Sequence, residues 1–235
     1  MLHVVSEASN TRKGSNNPVL ELRLASLVYG DTPILGAVSL TVDRSETLAL
    51  VGPSGVGKTS LLRIVAGLET RYRGTCRVNG KVGMVFQEPT LLPWRTVGDN
   101  ICIATGISKA EAEQALAEVG LEGRGQDFPS QLSLGQQRRL SLARAFAAKP
   151  DLLLMDEPFV SLDPSLVEEM MVLFAKLRAT HKVTTILVTH VVEEATKLAS
   201  RVVTLGGSPA QMTGDVQNKG AYFQLSASGV TSSKS

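Results

Sequence analysis

The sequence predicts an α/β fold with a mainly parallel sheet core, and three observations predict it. Apolar runs of strand length recur at 46–51, 152–155, 183–189 and 201–205. Stretches with helical spacing of apolar residues lie between them, and strand–helix alternation implies a parallel sheet covered on both faces. A chain of 235 residues, 43% of them hydrophobic, is large enough to bury such a core.

Taken in order, residues 1–18 carry no apolar run of secretory length and are mostly Ser, Asn, Thr, Gly and charge. They read as a disordered lead-in. Residues 19–24 alternate, with Leu20, Leu22 and Leu24 on one face and Glu21 and Arg23 on the other, the pattern of a half-buried strand. Residues 34–42 are a second strand. Residues 46–51 form a buried strand that runs straight into a glycine-rich turn, and 58–68 place Leu61, Leu62, Val65 and Leu68 at helical spacing. Strands follow at 75–78 and 82–86. From 96 to 148 only helices are expected: Ser108 and Glu111 make a capping box ahead of 109–119, and 136–148 is a helix ended by Pro150. This stretch reads as a helical insertion within the α/β domain. Alternation resumes with the strand 152–155. Asp163 followed by Pro164 then opens a helix to about Thr180. A strand (183–189), a helix (191–199) and a strand (201–205) complete the domain, taken as 19–205. Residues 206–235 are expected to be mostly irregular or disordered, with 226–235 a loose tail.

Composition excludes several classes. With 24 basic and 22 acidic residues the net charge is +2, too even to indicate a polyanion partner. Cys76 and Cys102 fit no zinc or redox spacing and are expected to be core thiols in a reducing compartment. No run of about 18 apolar residues occurs, so nothing is expected to span a bilayer.

The turn after 46–51 carries the chemistry. Gly52, Pro53, Ser54, Gly55, Val56, Gly57, Lys58 and Thr59, followed by Ser60, fit G-x-x-x-x-G-K-[ST], the Walker A pattern of a P-loop NTPase. Glycines let successive N–H groups turn inward toward phosphate oxygens, and the following helix aims its positive end at the same place. Lys58 can neutralise the β and γ phosphates, and the Thr59 hydroxyl can bind magnesium. The bland alternative is a glycine-rich αβ turn without a ligand. The strand 152–155 ends in Asp156 and Glu157, the Walker B pattern. Asp156 can lie beside the magnesium, and Glu157 can hold a water in line with the γ phosphate as a general base. Alone, both acids can equally be caps of the next helix.

Three further segments narrow the class: Gln87 after the strand 82–86, Leu132-Ser133-Leu134-Gly135-Gln136-Gln137-Arg138 ahead of the second motif, and His190 after 183–189. In this order, and with the two Walker motifs, the chain resembles the nucleotide-binding subunits of ATP-binding cassette (ABC) transporters over about 19–205. The resemblance implies ATP and Mg2+ as ligands, an antiparallel β subdomain and a helical ABC-specific subdomain (about 96–148). It implies that Tyr29 stacks on adenine and that Gln87 reaches the metal or the attacking water. Ser133, Gly135 and Gln136 would contact the γ phosphate held by a second copy. Asp163 would link the two sites, and His190 would hold the γ phosphate and the water. Core packing for Tyr29, a structural role for His190 and plain helix capping for Asp163 remain the alternatives. The family's usual signature has glycine where Leu134 stands, and Leu134 is expected to pack into the helical insertion.

The string Leu91-Leu92-Pro93-Trp94-Arg95-Thr96-Val97 is similar to that of the ATPases of nitrate, sulfonate, taurine and bicarbonate importers. The resemblance implies a head-to-tail homodimer, or a pair with a second cassette. The pair would dock on integral membrane permease subunits at the cytoplasmic face of the inner membrane. A substrate-binding protein is expected in the same system, and nucleic acid is not a partner. Trp94 would belong to the docking surface; the alternative is a core aromatic. The competing class is a soluble ABC-type ATPase such as one of iron–sulfur assembly.

Overall fold

The computed structural model describes residues 17–218. Two sheets organise them. The first is antiparallel and centred on β1 (Leu20–Tyr29), which pairs along one edge with β5 (Tyr72–Val78). Along the other edge lie β2 (Thr32–Leu35) and β3 (Val38–Val42), end to end, with Leu27 opposite Leu35 and Leu24 opposite Val38. The single strand expected at 34–42 is thus broken at Gly36. The cause is tertiary: Gly36 N–H donates to Ala210 O at 2.8 Å and Ala210 N–H to Ile34 O at 3.0 Å, so the later chain takes the backbone groups there.

The second sheet has six strands in the order β10-β9-β4-β8-β7-β6. Five of them are parallel: β4 (Thr47–Val51), β6 (Val82–Val85), β7 (Leu152–Asp156), β8 (Thr184–Val188) and β9 (Arg201–Gly206). β7 and β8 are buried at every position, as continuous apolar runs predict for a sheet covered on both faces. The sixth, β10 (Gln211–Gln217), is antiparallel to β9 and corrects the expectation of irregular chain beyond 206. Its sequence, QMTGDVQ, offers no apolar alternation. Its register is fixed instead by β9, helped by Arg201, whose guanidinium donates twice to the Asp215 carboxylate at 2.7 Å. The expected loose tail at 226–235 lies outside the described residues, as does most of the expected lead-in.

Six α-helices and a short 3-10 helix (Pro129–Gln131) complete the described residues: α1 (Lys58–Val65), α2 (Val97–Thr105), α3 (Lys109–Glu118), α4 (Leu134–Ala147), α5 (Pro164–His181) and α6 (Val192–Leu198). The helix expected over 58–68 stops early because Gly67 turns left-handed at φ 72°, which leaves Leu68 exposed. One core joins Leu20, Leu22 and Leu40 of the antiparallel sheet to Leu48, Leu50 and α1 (Leu61, Leu62). The other lies on the far face of the parallel sheet and gathers α2 to α5, with Leu116, Leu140, Phe146 and Phe174 fully buried. Cys76 and Cys102 are half-buried against these cores and are free thiols. No helix among the described residues is long and apolar enough to cross a membrane.

Candidate active site

The C-terminal ends of β4, β7 and β8 converge, and each delivers one sequence-singled segment. β4 opens into residues 52–57 and then α1. Gly57 has φ 108°, and a Cβ there would meet Leu35 Cδ2 at 2.7 Å, so the position is closed to side chains on two counts. Gly52 has φ 153°, and its Cβ would stand 2.5 Å from Leu205 O. No side chain caps α1. Its first residue, Lys58, is 4% exposed and folds back, donating from Nζ to Gly52 O and Pro53 O at 2.9 Å each.

β7 ends in Asp156, and the next residue, Glu157, takes a left-handed φ of 45° while its N–H donates to Val188 O on β8 at 3.0 Å. The kink aims the two neighbouring carboxylates differently. Asp156 Oδ1 accepts from Thr59 Oγ1 at 3.0 Å. Glu157 Oε1 lies 3.8 Å from Lys58 Nζ and 3.3 Å from His190 Nδ1. Lys58, Thr59, Asp156, Glu157 and His190 therefore form one connected group. Burial pushes the Asp156 carboxyl up and the Glu157 charge adds to that, while the Thr59 hydrogen bond and Lys58 oppose it.

Thr59 and Asp156 offer two hard oxygen donors on one side of the group. No cluster of three or more potential metal ligands exists among the described residues. That fits magnesium, which takes one or two protein ligands and completes its octahedron with phosphates and water. A calcium-type protein cage is not built here.

The other singled-out residues are placed elsewhere. Tyr29 ends β1, exposed rather than buried in the core, with its hydroxyl on the Glu69 carboxylate. Gln87 follows β6 and is exposed. Ser133 caps α4: Gln136 N–H donates to Ser133 Oγ at 3.3 Å, and Ser133 N–H to Gln136 Oε1 at 2.9 Å. Gly135 is covered by Leu166, at 3.0 Å from where a Cβ would be. Asp163 Oδ1 accepts from Leu166 N–H at 3.0 Å and caps α5. Leu134 does not pack into the helical insertion as expected. It is 48% exposed in the wall of a groove of about 660 Å³ between residues 87–93, the start of α4 and Val160–Ser161. Leu166 already occupies the inward side at Gly135. Trp94 is 69% exposed, which removes the core alternative for it.

Two sets of residues escaped the sequence reading. One face of α4 grips the loop after Gln87: Arg138 donates to Gln87 O, Ser141 Oγ to Pro89 O at 2.9 Å, and Arg144 to Thr90 O at 2.9 Å and Pro89 O at 3.0 Å. The other set is Thr189 and Glu194, buried beside His190. Side chain to main-chain bonds across 50 residues leave no periodic trace. Only the adjacency of Thr189 to His190 was available as a signal.

The sequence profile of the ABC transporter family matches residues 35–160. Among curated relatives, the aliphatic sulfonates import ATP-binding protein SsuB 2 of Burkholderia cenocepacia (strain HI2424) is 40% identical over 211 residues, covering 85% of this chain and 78% of its own length. The corresponding SsuB 1 of Rhodococcus jostii (strain RHA1) is 45% identical over 183 residues, 75% of each chain. Among solved structures, the dimeric post-hydrolysis state of the ATP-binding cassette MJ0796 bound to ADP and Pi superposes with a TM-score of 0.74 at 26% identity. That match covers 86% of this chain and 99% of the other.

Proposed function

The chain belongs to the ABC transporter family and is an ATPase with a P-loop fold, and from that premise we propose that its hydrolysis drives import of aliphatic sulfonates. The observation that carries the substrate class is the 40% identity, over 85% of the chain, to a relative named for aliphatic sulfonate import. Two copies work head to tail, peripheral to the membrane and docked on permease subunits, with a substrate-binding protein feeding them. Trp94, 69% exposed on the loop that α4 grips, belongs to the docking surface.

In the mechanism we propose, the backbone N–H groups of Gly52, Ser54, Gly55, Val56 and Gly57 wrap the phosphates, with Pro53, which has no N–H, shaping the loop between them, and Lys58 exchanges its carbonyl partners for phosphate oxygens. Ser60 adds a donor from the first turn of α1, and Tyr29 stacks on the adenine. Thr59, Asp156 and Gln87 hold magnesium, which supplies charge neutralisation on the phosphate oxygens when bound. Glu157 accepts the proton of the attacking water, and its position between Lys58 and His190 supports that role. His190 orients the γ phosphate and the same water. Ser133, Gly135 and Gln136 of the second copy close over the γ phosphate, and Asp163 joins the two sites.

The test is genetic and biochemical together. Deleting the gene, or introducing Lys58→Ala, should abolish growth on an alkanesulfonate as sole sulfur source and spare growth on sulfate. A multi-span membrane protein should co-purify with the wild type. Unimpaired growth on the sulfonate would overturn the substrate class. Trp94→Ala should keep the isolated ATPase rate and lose sulfonate uptake; uptake equal to wild type would remove Trp94 from the docking surface.

A further inference from the structure

Thr189 and Glu194 are buried polar side chains next to the catalytic group that no step above employs; they are 2% and 6% exposed. Thr189 Oγ1 donates to Glu194 Oε2 at 2.5 Å and accepts from Val191 N–H at 3.0 Å. Thr189 N–H itself donates to Leu50 O at 3.2 Å, on the strand that opens into the phosphate loop. One hydroxyl thus fastens the end of β8, the turn that follows and the first turn of α6. His190 stands within that closed turn. Its ring is about half exposed and is not packed in place, so its direction depends on the turn beneath it.

We infer that Glu194, acting through Thr189, is a positioning residue for hydrolysis: the pair fixes the turn that presents His190 to Glu157. The inference rests on the proposed role of His190. Burial pushes the Glu194 carboxyl up, the Thr189 bond and a positive His190 hold it down, and Glu157 and Glu193 push it up again. The neighbouring cations are committed elsewhere: Lys197 to Glu168 and Glu193 at 2.8 and 2.9 Å, Lys58 to the Glu157 side. An ionised Glu194 therefore faces His190, which Glu157 also contacts, as an electrostatic partner.

The experiment compares Thr189→Val, Thr189→Ser, Glu194→Gln and His190→Ala. Readouts are kcat and KM for ATP, the melting temperature, and the ring signals of His190 across pH. The chain has three histidines, His3, His181 and His190, so those signals can be assigned by substitution. Thr189→Val should lower kcat by about tenfold, the scale of a sub-ångström misplacement, with KM within about twofold. Thr189→Ser should restore most of the loss. Glu194→Gln keeps an acceptor for Thr189 and should lower kcat by less than Thr189→Val does. If His190→Ala loses turnover while Thr189→Val and Glu194→Gln keep wild-type kcat and His190 ring signals, this inference fails and the site reading stands. A kcat loss in Thr189→Val that follows the melting temperature and is not restored by serine also overturns it. If His190→Ala retains turnover, the role of His190 falls and this inference falls with it.

Discussion

The helices α1 and α4 begin in opposite ways, although each presents the positive end of its dipole. α1 starts straight out of a glycine-rich loop with no side-chain cap, and its first residue, Lys58, bends back over that loop. α4 starts from a complete reciprocal capping box between Ser133 and Gln136. The first N-terminus is shaped to take an anion directly. In the second, the Ser133 and Gln136 N–H groups already have side-chain partners, so a phosphate reaching Ser133 must compete with Gln136. That asymmetry predicts a two-stage order. In the mechanism proposed above, ATP would bind first at the loop of one copy, and the other copy's α4 would follow only when a held triphosphate compensates for the bonds it gives up.

The largest effect that can break this order is at Glu157. Glu157→Gln leaves both helix starts intact and removes the proposed proton acceptor, together with the charge that faces Lys58 and His190. Turnover should fall by about 10²–10⁴-fold, the range of general-base catalysis, while ATP binding persists. Sedimentation with saturating ATP and magnesium should then show a dimer that the wild type does not accumulate. Loss of turnover with a strictly monomeric species would separate hydrolysis from pairing and break the two-stage order.

A substitution at Ser133 sharpens the comparison, because capping and phosphate contact call for different properties. Ser133→Ala removes the cap and should cost about 1 kcal/mol of stability. In a domain of this size that lowers the melting midpoint by about 2–4 °C. Ser133→Asp keeps a good cap but sets a negative charge against phosphate. It should melt as the wild type does and still lose turnover by at least about tenfold, the scale of a single like-charge contact. Activity that follows melting temperature across the two variants would leave Ser133 a cap and nothing more.

These contrasts were unevenly legible in the sequence. The phosphate loop was plain because the chemistry dictates residue type at fixed spacing, and steric closure at Gly52 and Gly57 enforces it. The parallel strands were plain because burial on both faces writes an apolar run. β10 was illegible: an edge strand of Gln, Thr, Gly and Asp takes its conformation from β9 and from the Arg201–Asp215 pair, neither of which leaves a local pattern. Leu134 was expected to pack into the helical insertion and instead stands 48% exposed, while at the next position Leu166 covers Gly135. Arg138, Ser141 and Arg144 left no local sign of the carbonyls they grip, which come from the distant loop of Gln87, Pro89 and Thr90.

The smallest effect tests burial rather than order, and compares Asp156 with Asp163. Asp163 is an exposed cap, and asparagine caps equally well, so Asp163→Asn should leave stability unchanged. Asp156 is 8% exposed, and burial raises its carboxyl above the ordinary value of 3.8. The folded state therefore holds its proton more tightly than the unfolded state does. Stability falls as pH rises from about 3.8 through the raised folded value, and the loss persists at neutral pH. Asp156→Asn keeps an acceptor for Thr59 and removes that penalty. Its melting midpoint at pH 7 should exceed the wild type's by a few degrees, on the scale of about 2–4 °C per kcal/mol, and the two should converge below about pH 4. Adding ATP and magnesium should reverse the order, because only the carboxylate gains from a neighbouring dication. A variant no more stable than wild type at neutral pH would mean that the Asp156 charge is compensated within the protein, without need of a metal.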